Sequence, residues 1–123
     1  MTASNPSSCI FCKIVSGQIP SPRIYEDSDF IVIRDIQPQA KTHLLVLPKA
    51  HVASLADAFP GEGEALPVPA VERLLKVATQ VARKEGLVPG GFRTVINTGA
   101  GGGQTVFHLH VHLLAGDLGG SFG

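Results

Sequence analysis

Three of the chain's five histidines stand at alternate positions, His108, His110 and His112, within the run Phe107-His108-Leu109-His110-Val111-His112-Leu113-Leu114. Imidazole changes protonation near neutral pH, so it can serve as proton carrier, nucleophile or metal ligand. A period of two is the repeat of a β-strand, whose successive side chains point to opposite faces. The spacing therefore predicts a strand with histidine on one face and Phe107, Leu109, Val111 and Leu113 in a core behind it. Just upstream, Gly99-Ala100-Gly101-Gly102-Gly103-Gln104-Thr105 predicts backbone N–H groups unobstructed by Cβ atoms, a nest suited to phosphate oxygens beside a nucleophile. The alternative chemistry is metal-dependent hydrolysis, with the histidine cluster as a zinc site. Residues four apart on a strand are about 13 Å apart whereas zinc–nitrogen bonds are about 2 Å, so adjacent pairs share an ion more easily than all three do. Cys9-x-x-Cys12 adds two soft ligands at a spacing common in zinc sites, which is half of a tetrahedral set.

Other elements must position these groups. Cys9–Val15 carries apolar residues at 10, 11, 14 and 15, a helical stripe that Gly17 ends. Arg23–Glu26 and the β-branched run Phe30–Ile33, joined through Asp27-Ser28-Asp29, predict a hairpin. Thr42–Leu47, closed by Pro48, predicts a third strand, Phe92–Asn97 a fourth, and Thr105–Leu114 the histidine strand. Between them lie a weak helix at 53–58 and an irregular proline-rich insertion at 59–69. The main amphipathic helix follows at 70–86, with Val71, Leu74, Leu75, Ala78, Val81 and Ala82 at helical spacing. The expected architecture is α+β, an antiparallel sheet of about five strands with one long helix and short ones. It forms one domain over 1–123, with a core at 9–116 and tails at 1–8 and 117–123.

At 123 residues and 44% hydrophobic content, the chain is long enough to build a core without disulfide staples. Ten basic residues balance ten acidic ones, which argues against a nucleic acid polymer as partner while leaving a single nucleotide open. Neither a secretory signal nor a membrane span is apparent, and two cysteines without an export signal point to reducing, cytoplasmic surroundings.

The segment Gly103-Gln104-Thr105-Val106-Phe107-His108-Leu109-His110-Val111-His112 resembles the signature of the histidine triad (HIT) superfamily. Ile24-Tyr25-Glu26-Asp27, Asp35-Ile36-Gln37-Pro38-Gln39-Ala40, Thr42-His43-Leu44-Leu45-Val46-Leu47-Pro48-Lys49 and Val95-Ile96-Asn97 resemble its Hint-like branch, purine nucleoside phosphoramidases. The resemblance implies a HIT-like fold, a homodimer, and hydrolysis of the P–N bond of purine nucleoside phosphoramidates through a nucleotidyl-histidine intermediate. By the same resemblance His110 is the nucleophile, His112 contacts the phosphate and assists the leaving amine, and His43 is a fourth active-site histidine. A hydrogen bond from His110 Nδ1 to a backbone carbonyl, that of His108, would present Nε2 to phosphorus.

Asp35 matches the carboxylate that binds the ribose hydroxyls. Ile10, Phe11, Ile14, Ile33 and Ile36 match the apolar slot for the purine, and Asn97, Gly103, Gln104 and Thr105 the surroundings of the phosphate. Relatives with the N-terminal cysteine pair imply a structural zinc held by Cys9, Cys12, His51 and His108, with no catalytic cofactor. The tail Asp117–Gly123 departs from the animal Hint type in having no Trp. A scaffold that binds nucleotide without catalysis would keep the same fold.

Overall fold

A computed structural model describes residues 6–61 and 71–118. Five antiparallel strands form one sheet in the order β1-β2-β3-β5-β4, with β1 at Arg23–Glu26, β2 at Phe30–Arg34, β3 at Thr42–Pro48, β4 at Arg93–Val95 and β5 at Val111–Ala115. The helices are α1, Ile10–Ser16; α2, a single turn at Leu55–Ala58; and α3, Arg73–Lys84. None of these is long and apolar enough to cross a membrane.

The sheet is covered unequally on its two faces. Phe30, Val32, Leu44, Val46, Leu109, Val111 and Leu113 pack against Leu74, Val77, Ala78, Val81 and Ala82 of α3. On the opposite face, Ile31, Ile33, Leu45 and Leu47 pack against Cys9, Phe11 and Ile14. Each fully buried aliphatic side chain contributes about 1.5–3 kcal/mol through area removed from water. The seven residues of α1 leave part of their face of the sheet uncovered, and His43, His110 and His112 lie there.

Helix α1 starts at Cys9, whose sulfur accepts the Cys12 N–H at 3.3 Å, and ends at Gly17 in the left-handed conformation, φ 88°. Arg23 Nη2 donates to the Ile14 carbonyl at 2.6 Å, tying the helix end to β1. Helix α3 closes with Gly86 at φ 76° and a bond from Leu87 N–H to the Ala82 carbonyl at 2.8 Å.

Four expectations are corrected. The histidine strand begins at Val111, not Thr105. Val46 pairs with Val111, and the next donor on that edge of β3 would come from Pro48, which has no N–H; Leu109 N–H turns instead to the Val52 carbonyl at 2.7 Å. Leu75 points outward, 48% exposed, and Val77 takes the buried position, because a 3.6-residue turn carries 74, 77, 78, 81 and 82 to one side. The fourth strand is shorter than 92–97. Within the expected N-terminal tail, Pro6–Ser8 forms a 3-10 turn. Most of the 59–69 insertion lies outside the described residues.

Candidate active site and metal centre

The alternation expected of the triad persists even where strand pairing does not. Leu109, Val111 and Leu113 enter the α3 core, while the three histidines turn the other way and diverge into separate surroundings. His110 is the middle one. Its Nδ1–H donates to the His108 carbonyl at 2.7 Å, which leaves the Nε2 lone pair as the ring's nucleophilic atom. The Phe11 ring stands perpendicular to this imidazole, with the ring centroids 5.1 Å apart. Burial holds the His110 imidazole below its ordinary pKa, partly offset by that carbonyl bond.

His112 belongs to a hydrogen-bond chain. The Gln39 N–H donates to His43 Nδ1 at 3.0 Å, so the His43 proton sits on Nε2. That Nε2 lies 2.9 Å from His112 Nδ1 and 3.4 Å from Asp35 Oδ2. His112 Nδ1 is therefore an acceptor, and neutral His112 carries its proton on Nε2. Burial, with His110 and His43 adding repulsion, lowers its pKa from 6.5 to about 4, against the opposing pull of Asp35. Asp35 is itself held by the Gln37 N–H on Oδ1 at 2.8 Å.

These groups border a cavity of about 350 Å³ that gathers Ile10, Phe11, Ile14, Ile33, Ile36, Asp35, Asn97, Gly103, Thr105, His110 and His112. Its outer lip is open, since Ile36 is 89% exposed. Two expected phosphate contacts take a different form. The N–H groups of Gly102, Gly103 and Gln104 bond within the glycine loop, to the carbonyls of Gly99, Ala100 and Gly99, so the expected nest is largely closed on itself. The loop is a 3-10 turn at Ala100–Gly102, which uses those donors internally. The Gln104 side chain is buried; its Nε2 donates to the carbonyls of Ala53 and Val106 at 2.7 and 3.0 Å, and its Oε1 accepts the Gly99 N–H at 2.8 Å. It holds the loop. The residue missed was Gln39, which acts through its backbone, so its side-chain type carried no signal.

His108 faces away from this cavity. Its Nε2–H donates to the Pro48 carbonyl at 2.8 Å, which turns the Nδ1 lone pair toward Cys9 Sγ at 3.4 Å and Cys12 Sγ at 3.5 Å. His51 Nδ1 lies 3.2 Å from Cys12 Sγ. The four ligand atoms all fall within 4.8 Å of one another. A tetrahedral zinc with sulfur at about 2.3 Å and nitrogen at about 2.0 Å needs ligand–ligand edges of about 3.5 Å, so the donor set fits that ion. The Pro48 carbonyl is the outer partner that fixes the ligating tautomer. Burial and the neighbouring Cys9 push the Cys12 thiol up to about 12, and burial brings His108 down to about 4. A bound cation reverses the first of these by favouring thiolate. The expected spread of the triad along the chain thus separates His108 from His112 into two groups, which a shared three-histidine ion would not permit.

The family model described as scavenger mRNA decapping enzyme C-term binding matches residues 8–123. The chain is 39% identical over 107 residues to the purine nucleoside phosphoramidase of Escherichia coli (strain K12), covering 87% of this chain and 86% of that protein. A histidine triad protein from Clostridium difficile superposes with a TM-score of 0.84 at 38% identity, over 100% of both chains. A zinc-bound histidine triad family protein from Mycobacterium smegmatis gives 0.76 at 39% identity, over 94% of this chain and 79% of that one. With its alternating histidines on the open face of a five-stranded antiparallel sheet, the chain belongs to the histidine triad family.

Proposed function

We propose that the protein hydrolyses the P–N bond of purine nucleoside phosphoramidates in two displacements at phosphorus. The observation that carries this reading is the bond from His110 Nδ1–H to the His108 carbonyl, which commits Nε2 to the cavity as an unprotonated nucleophile. The apolar slot of Ile10, Phe11, Ile14, Ile33 and Ile36 receives the purine, and Asp35 accepts hydrogen bonds from the ribose hydroxyls. Asn97 and Thr105 flank the phosphate.

In the first displacement His110 Nε2 bonds to phosphorus while the P–N bond breaks and its electron pair passes to the amine nitrogen. That nitrogen takes a proton from His112, which gains a second proton from solvent when the anionic substrate binds, the nearby Asp35 favouring the charged form. Water then attacks phosphorus, returns a proton to His112 and releases His110. A covalent intermediate divides one slow attack on a shielded phosphorus into two easier steps.

Cys9, Cys12, His51 and His108 would hold zinc as a structural ion. With four protein ligands it would supply cohesion between α1 and the approach to β5, with no open coordination position for substrate. Acid-quenched mass spectrometry during turnover of an adenosine phosphoramidate tests the mechanism. The expected result is an adenylyl group on His110 and background turnover in His110→Ala; an adduct elsewhere, or full activity in that variant, defeats it.

A further inference from the structure

Cys9 and Cys12 are the chain's two cysteines, and they stand at the first turn of α1 as its cap and its third residue. Three residues apart on a helix, their Cα atoms are about 5 Å from each other, inside the range of about 4.4–6.8 Å that a disulfide spans. Their sulfurs lie within 4.8 Å of one another, and both face His108 Nδ1, at 3.4 and 3.5 Å. A pair set in this way can share a cation or share a bond, but not both at once. Cys9 also lines a cavity of about 280 Å³, beside the exposed Ser8 and Thr105. That space is ample for a molecule little larger than water, whose share of liquid volume is about 30 Å³. Cys9 Sγ accepts the Cys12 N–H at 3.3 Å, a bond that favours thiolate over thiol.

We propose that Cys9 and Cys12 form a peroxide-sensitive modification site, in which oxidation replaces a shared zinc ion by a disulfide and loosens the nucleotide slot. The inference rests on the zinc and purine-slot readings and not on the reaction at His110. Cysteines that ligate zinc do so as thiolates. The Cys9 sulfur attacks one peroxide oxygen, so that an S–O bond forms while the O–O bond breaks, and the departing hydroxide takes a proton from solvent to become water. The Cys12 thiolate then attacks the Cys9 sulfur; the S–S bond forms, the S–O bond breaks, and a second hydroxide leaves as water in the same way. The two sulfurs together lose two electrons, one peroxide is reduced to two waters, and the metal keeps its charge. His51 and His108 remain, half of the tetrahedral set and too few to retain the ion. Ile10 and Phe11 lie between the two cysteines and wall the purine slot, and the Phe11 ring packs against those of His108 and His110. Drawing the sulfurs together to the disulfide length of about 2.05 Å shifts this wall with the turn that carries it.

The test treats reduced, zinc-loaded, full-length protein with one equivalent of hydrogen peroxide. Released zinc is followed with a chromogenic chelator, the sulfur product by intact mass and peptide mapping, and AMP affinity by calorimetry. Expected are zinc release, loss of two hydrogens from the mass of the reduced metal-free chain, a Cys9–Cys12 link, and AMP affinity lowered by about tenfold, the size of one buried apolar contact. Reduced protein stripped by a chelator should recover with zinc alone, whereas peroxide-treated protein should recover only with a thiol and zinc together. Zinc retained with both thiols intact, oxygen addition or links between chains in place of the Cys9–Cys12 bond, or unchanged AMP affinity in the linked protein overturns the inference alone. Reduced protein that takes up no zinc, or that binds no AMP, overturns the metal reading or the slot reading respectively, and this inference with it.

Discussion

Two groups of metal-capable side chains flank His110, and they differ in where their lone pairs point. Cys9, Cys12, His51 and His108 converge within 4.8 Å, and so do Asp35, His43 and His112. In the first group the Pro48 carbonyl takes the far proton of His108 and leaves its lone pair facing two sulfurs. In the second, the Gln39 N–H occupies His43 Nδ1, so a proton rather than a lone pair lies between the two imidazoles. Proximity is the same; direction is opposite. One backbone group on each side decides between a place for a cation and a path for a proton.

The largest expected effect separates the two groups by metal content. Cys12→Ser should lose zinc and unfold at a lower temperature, because the seven-residue α1 is too short to persist without its contacts, carries one ligand and is capped by another. It should also weaken AMP binding, since Ile10, Phe11 and Ile14 of the same helix wall the purine slot. His43→Asn should leave the zinc content intact. Metal analysis with thermal melts and AMP titration of the two variants checks this; equal zinc loss in both would erase the distinction.

Next in size is a rate effect confined to the second group. His112→Ala should lower kcat by about 10²–10⁴-fold, the usual worth of a positioned acid, with AMP affinity and zinc content close to wild type. Single-turnover kinetics on a slow-leaving amine would place the loss in the first displacement.

The smallest effect is on stability against pH. The folded His112 pKa lies near 4 against 6.5 for the free side chain, so between those values the unfolded chain binds the proton and the folded chain does not. Stability should fall as pH drops from about 6.5 toward 4, where the full loss is reached. His112→Asn should flatten that slope. Melting curves across the interval, compared between the two zinc-loaded proteins, measure its share; parallel slopes would mean that His112 contributes nothing.

The residues that differ between the two groups explain what the sequence could disclose. Period-two alternation at 108–113, the hairpin at 23–34 and Gly17 are properties of side-chain type or glycine φ, and each appears where spacing puts it, whereas Phe107, expected in the same core, is only half-buried and lies outside it. The slot isoleucines and Phe11 were placed by resemblance, and the cavity does collect them. The roles of Gln39 and of the Pro48 carbonyl were not legible, because both act through backbone groups that every residue, or nearly every residue, possesses. Pro48 acts twice: its missing N–H ends the β3–β5 ladder, and its carbonyl fixes His108. Gln104 was misleading for the converse reason, a polar side chain beside a phosphate loop that turns inward to hold it.

The alternation of histidine with leucine and valine leaves the 108–113 segment no neutral frameshift. Removing one residue from it would present Leu109 or Val111 to the nucleotide and drive imidazoles into the packing beneath α3. Substitutions can separate folding from catalysis here, one face at a time, but a single-residue insertion or deletion strikes both together. Length in this stretch is therefore far less free to drift than composition.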